Sequence, residues 1–140
     1  MSPSLMSPGT ELVIAAAEAA SSKKAERIVI LDVSQLLVIT DHFLICSGNN
    51  ERQVRTIADE VEERLLKERK VKPFRREGQR EGRWILLDYV DFVVHVFGPE
   101  ERDYYDLERL WADAPKVPFD DELSPGRREE RDEPATAKAT

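Results

Sequence analysis

With 140 residues, 41% hydrophobic and 35% charged, the chain has the length and composition of one domain that can bury a core of its own. Its net charge of −7 argues against general binding to a phosphate backbone, and its single cysteine excludes an internal disulfide. It holds no apolar run near the ~20 residues that cross a bilayer. It also lacks the basic start and long apolar stretch of a signal peptide, so no membrane role and a cytoplasmic location are expected.

Residues 1–6 read as a disordered N-terminus. Ser7 then caps a helix with Pro8 at its first position, running to about Ser22. Leu12, Val13, Ala16 and Ala20 give this helix a thin apolar stripe, and its small residues allow a close approach to a sheet. Residues 27–33 are β-branched and nearly all apolar, which predicts a strand covered on both faces. Thr40-Asp41 marks a turn or bulge, and residues 42–48 predict a second strand. Cys46, between Ile45 and Ser47, reads there as a buried small hydrophobe. Asn49 or Asn50 caps a long helix to about Lys70, with Val54, Ile57, Ala58, Val61 and Leu65 on one face. Glu51–Arg55, Glu60–Arg64 and Glu63–Lys67 stand in the favoured i,i+4 order on the others.

Residues 71–77 predict a weak edge strand, because Pro73 cannot donate to a ladder. A polar, glycine-marked loop over 77–82 leads into two apolar runs, 84–88 and 92–97, that predict a β-hairpin. Gly98-Pro99 ends it, and one helix follows from Glu100 to Trp111 with Leu107, Leu110 and Trp111 inward. The folded domain is thus expected over 7–118 and a disordered, charged tail over 119–140. Helix-connected and hairpin-connected strands together predict an α/β or α+β fold, a mixed five-stranded sheet flanked by helices.

The hairpin region carries the chemistry. Residues 84–113 hold eight Asp or Glu against two Arg, together with Trp84, Tyr89, Tyr104, Tyr105 and Trp111, the residue types that anchor interfaces. With Tyr89-Val90 as a two-residue loop, Asp88 faces Asp91, Leu87 faces Phe92, Leu86 faces Val93 and Trp84 faces His95. Alternation then puts Trp84, Leu86, Asp88, Val93 and His95 on one side. Two facing carboxylates suit a docking Lys or Arg, or a weak divalent cation. His95 has no partner at metal-ligand spacing, so it reads as structural or as part of a binding face, with no metal centre. The Ser47-Gly48-Asn49-Asn50 turn lacks the glycines and lysine of a phosphate loop and reads as a helix cap. Residues 68–83 reverse the charge, with seven Lys or Arg against three Glu. There Arg75, Arg76 and Arg80 are candidates for RNA contact, without an aromatic run for base stacking.

Several motifs in order, covering about 9–115, resemble the ribosomal silencing factor (RsfS, or Iojap) family. They are Leu31-Asp32-Val33, the run from Thr40 to Gly48, Glu51-Arg52-Gln53-Val54, the run from Ile57 to Glu62, Glu77-Gly78, Gly82 to Asp91, Val93 to Phe97, and Tyr105 to Trp111. The resemblance implies a nucleotidyltransferase-like fold without the catalytic signature. Ser47-Gly48 reverses the enzyme order, Asp88 and Asp91 stand three apart rather than two, and Val90 replaces a common family glycine. It implies binding to the large ribosomal subunit through its fourteenth protein (uL-fourteen). That binding would block joining of the small subunit and repress translation when nutrients are short. A homodimer of the free protein is implied as well, with no enzymatic turnover, cofactor or small-molecule substrate. On this reading Trp84, Tyr89 and Tyr105 supply anchor area, Asp88, Asp91 and Glu100 meet Lys or Arg, and His95 lines the same face. The alternatives are a nucleotidyltransferase-like enzyme holding magnesium at Asp88 and Asp91, and an rRNA-binding module.

Overall fold

The computed structural model describes residues 8–119. In chain order the elements are α1 (Pro8–Ser22), β1 (Glu26–Asp32), β2 (His42–Ser47), α2 (Glu51–Arg69), β3 (Arg75–Glu77), β4 (Trp84–Asp88), β5 (Phe92–Phe97), α3 (Pro99–Tyr105) and α4 (Leu107–Leu110). The strands form one sheet in the order β1-β2-β5-β4-β3. β2 and β5 are parallel and the other neighbours antiparallel, so the sheet is mixed, as the connections imply.

α2 follows its sequence closely. Asn50 is the N-cap, its side-chain oxygen accepting from the Gln53 N–H at 2.8 Å. Lys70 ends the helix in the left-handed region, its N–H donating to Leu66 C=O at 3.1 Å. The five residues predicted to face inward are all buried. Of the predicted ion pairs, Glu60–Arg64 closes at 2.8 Å and Glu51–Arg55 at 4.0 Å. Alanines 15, 16, 17, 19 and 20 of α1 are buried, and with no larger side chain to hold it off, α1 lies against α2 and the sheet. Together α1 and α2 seal one sheet face over Ile30, Leu44, Cys46, Ile85, Leu87, Phe92, Val94 and Val96.

Three expectations shift. β1 is an edge strand whose first two residues are exposed, so cover on both faces does not extend along its whole length. The chain after α4 returns to that edge, where Asp32 N–H donates to Pro115 C=O at 2.8 Å and Val117 N–H to Ile30 C=O at 2.9 Å. The single helix expected over 100–111 is broken at Asp106, which sits at φ +46 and belongs to neither helix interior. The break turns Leu107 and Trp111 onto the second sheet face and leaves Leu110 68% exposed rather than inward. Ser7 and the expected terminal segments fall outside the described residues, apart from Phe119, which packs against the core.

Candidate functional site

The second sheet face is finished differently. Leu31, Phe43, Ile45 and Phe97 are buried there, with Trp84, Val93, Leu107 and Trp111 partly covered around them. The short segment from α3 onward and the loop after β1 lie over this side. Arg102 fastens the α3 segment. Its guanidinium is 1% exposed and is held by Glu108 Oε2 at 2.7 Å, Arg27 C=O at 2.6 Å and Ser47 Oγ at 3.2 Å. That hydrogen-bonded pairing keeps the Glu108 carboxyl below its usual range. The bonds from Arg102 span up to 75 positions of sequence, so no local pattern could have revealed its role.

The uncovered part is an aromatic ledge. Trp84 packs on Tyr105 at 4.5 Å and on Phe97 at 4.9 Å between ring centres, and Tyr104 meets Tyr105 edge-on at 4.9 Å. Tyr104 is 81% exposed and Tyr105 45%. The glycine loop fixes Trp84 from the sheet edge. Gly78 has φ +89, and a Cβ there would run into the Trp84 carbonyl oxygen.

The hairpin register differs from the predicted one by two residues. Leu86 faces His95, Leu87 faces Val94, Asp88 faces Val93 and Trp84 faces Phe97. A shift of two keeps every side chain on its expected face while changing its partner. Trp84, Leu86, Asp88, Val93 and His95 therefore do share a side, but Asp88 and Asp91 do not confront each other. Asp88 Oδ1 instead accepts from the Val90 N–H at 2.8 Å, and Arg75 lies 3.4 Å from its other oxygen. The turn sits one residue further on than Tyr89-Val90: Tyr89 N–H donates to Phe92 C=O at 2.9 Å around Val90 and Asp91, Asp91 N–H donates to Tyr89 C=O at 2.9 Å, and Val90 takes φ +75.

Tyr89 was expected as contact area and is instead 7% exposed, stacked on Phe92 at 4.7 Å on the helix-covered side. Burial, with the Glu62 carboxylate adding to it, pushes its hydroxyl well up. Asp91 is exposed at the tip, its main chain tied to the Asp41 N–H at 2.9 Å. Glu100 stands beyond the other end of β5, in a cleft of about 700 Å³ with Arg52, Arg55 and Arg83. The structure thus separates Glu100 from the tip acids by the length of a six-residue strand, roughly 17 Å.

His95 lies between the two ends, 5% exposed. Trp84 Nε1–H donates to its Nδ1 at 3.2 Å, and Phe43 meets the ring edge-on at 5.0 Å. Burial pushes its pKa down to about 4, so the ring is neutral at neutral pH and carries its proton on Nε2. Among the described residues no three His, Cys, Asp or Glu side chains gather in a metal-holding group. Of the RNA candidates, Arg75 pairs with Glu77 and Asp88 and Arg76 with Glu62, which leaves Arg80 on the loop whose carbonyls hold Arg55.

Sequence reasoning missed one feature of this face. Between β1 and β2, Leu36 is 44% exposed, Val38 fully and Ile39 80%, an apolar loop whose signal was four successive apolar residues between two strands.

A mixed five-stranded sheet, sealed by helices on one side and half open and aromatic on the other, defines a small α/β domain. The chain belongs to the ribosomal silencing factor family: the model described as "Ribosomal silencing factor during starvation" matches residues 7–140. The ribosomal silencing factor of Halalkalibacterium halodurans is 45% identical over 114 residues, covering 81% of this chain and 97% of that protein. That of Bacillus subtilis is 45% identical over 105 residues, covering 75% and 88%. A crystal structure from Chromobacterium violaceum superposes with a TM-score of 0.70 at 38% identity, covering 78% of this chain and 89% of the other.

Proposed function

We propose that this protein silences translation by docking its half-open face on a basic protein of the large ribosomal subunit, the fourteenth (uL-fourteen), so that the small subunit cannot join. The observation that carries the reading is the ledge of half-buried Trp84 with exposed Tyr104 and Tyr105, near the acids Asp91 and Asp106, in a chain of the silencing family. Aromatic rings supply anchor area and the acids suit a Lys- and Arg-rich partner. His95 backs Trp84 from within, Tyr89 braces the tip from the core, and Glu100 reaches a partner only if the footprint extends past β5. The action is steric and takes place in the cytoplasm under nutrient limitation, without turnover, cofactor or small-molecule substrate. The free protein covers the same apolar ledge by pairing with a second copy. The intramolecular pairing of Arg75 and Arg76 argues against the RNA-binding alternative, and the engagement of Asp88 by Val90 N–H and Arg75 rather than opposite Asp91 against a magnesium-dependent transferase.

Sucrose-gradient profiles of purified subunits test this. The wild-type chain should travel with large subunits and reduce joined ribosomes. Trp84→Ala combined with Asp91→Lys should weaken that association at least ~10-fold while the circular dichroism spectrum stays unchanged. Normal association of the double variant would reject the assigned face.

A further inference from the structure

On the half-open face, toward the hairpin tip, a groove of about 330 Å³ runs between the loop after β1 and the segment entering β3. Leu37 and Ile39 form one wall and Phe74 the other, over a floor of Phe43, Val93 and His95. Ile39 is 80% and Phe74 77% exposed, so the walls are apolar surface standing in water. The floor is polar in one respect. His95 Nε2 is buried and has no hydrogen-bond partner among the described residues, and neither has Thr40 Oγ1 at the same groove. Because Trp84 occupies Nδ1, Nε2 is an N–H donor waiting for an acceptor. A buried donor left unpaired is costly, and an occupant that supplies an acceptor recovers that cost on binding.

The rim selects the class of occupant. Asp88 and Arg75 line the groove and pair with each other at 3.4 Å, so the negative charge left at its mouth is that of Asp91, exposed beside it at the hairpin tip. Such a mouth favours a cationic occupant over phosphate. Its volume is at the small end of ligand pockets and suits one side chain with its peptide group.

We infer that this groove is a socket for a single apolar side chain on an extended, lysine- or arginine-rich polypeptide segment, whose main-chain carbonyl accepts from His95 Nε2–H. The inference rests on the reading above, that the partner is a basic protein, and adds Leu37, Ile39 and Phe74 as residues that set its specificity.

Two measurements separate the two claims. In the first, full-length protein labelled with ¹⁵N-histidine is titrated with the probe acetyl-Lys-Lys-Leu-Lys-Lys-amide, its signals assigned against His95→Phe. The His95 Nε2–H signal should shift and saturate. A probe with Ser in place of Leu should bind at least ~10-fold more weakly, as should the leucine probe to protein carrying Ile39→Ser and Phe74→Ser, both at exposed positions. Equal response to both probes, no response, undiminished binding by the double variant, or stronger displacement of the signal by oligouridylate overturns the socket. In the second, the same double variant is run with large subunits on sucrose gradients, where at least ~10-fold weaker association is expected. If wild type and variant associate equally, the socket fails and the ribosomal reading stands. If wild type does not associate while the probe behaves as expected, the ribosomal reading fails and the socket stands.

Discussion

The two faces of the sheet are drawn from alternate residues of the same strands, yet they end in different states. Under α1 and α2 the strand side chains from Ile30 to Val96 join one buried apolar cluster. On the other side the same alternation yields Phe43, Trp84, His95 and Phe97, covered only in part by a segment held through one buried arginine. Packing on the first face leaves little to gain from a partner. The second keeps exposed rings, an apolar groove and a buried unpaired donor, each of which becomes more stable when something binds. On the proposed function, stability and docking fall to opposite sides of a single sheet.

The division is open to attack from either side, and the largest effects belong to the sealed one. Ile57→Ala, in the middle of α2's inward face, should lower unfolding free energy by about 2–5 kcal/mol in urea titrations. It should leave large-subunit association intact wherever the protein is folded. Tyr105→Ala on the ledge should do the reverse, costing at most about 1 kcal/mol of stability while weakening association at least ~10-fold. If both substitutions act alike, the faces are not specialised.

Acid should act through the open face. An unfolded histidine titrates near 6.5 and the buried His95 near 4. Between those values the unfolded chain binds more protons, so stability is full above pH 6.5 and falls as pH drops toward 4, by about 3 kcal/mol in all. His95→Phe should remove that dependence from thermal melts across the window; an unchanged slope would assign it elsewhere.

Arg102→Met should cost about 2–3 kcal/mol, less than a fully buried broken pair because Glu108 still reaches water. It should also speed amide exchange after Gly98, where the segment would loosen from β1. Smallest of all, Val90→Gly should stabilise by about 1 kcal/mol, since a β-branched residue at φ +75 is strained and glycine is not. A loss of stability on that change would mean that Val90 contributes packing that outweighs its backbone.

Where side-chain pattern and local backbone agree, the elements were legible. α2's cap, face and end follow from Asn50, the 3.6-residue spacing and Lys70, and β2's buried run from four successive apolar residues. The site was legible as a region: Trp84, Asp88 and His95 share a side because alternation survives a register shift of two. Their pairing was not, since the tip closes around Val90 and Asp91 rather than Tyr89 and Val90, and one step of the loop moves every cross-strand partner by two. Tyr89 misled because burial depends on which layer lies above the sheet, and a tyrosine at a hairpin tip looks the same from the sequence whether it faces helix or solvent. The apolar loop at Leu36–Ile39 belongs to no periodic element, so its pattern carries no signal of exposure.

By itself the sequence determined which segments become helix or strand, the mixed sheet, the family, and the concentration of rings and acids after residue 83. Those follow from short-range periodicity, capping chemistry and motif order. Only tertiary structure decided which sheet face would be sealed, that Arg102 would be buried beneath Glu108, that Tyr89 would turn inward, and that His95 would keep a donor without a partner. Each of these depends on atoms distant in the chain meeting in space, and no local pattern encodes such a meeting.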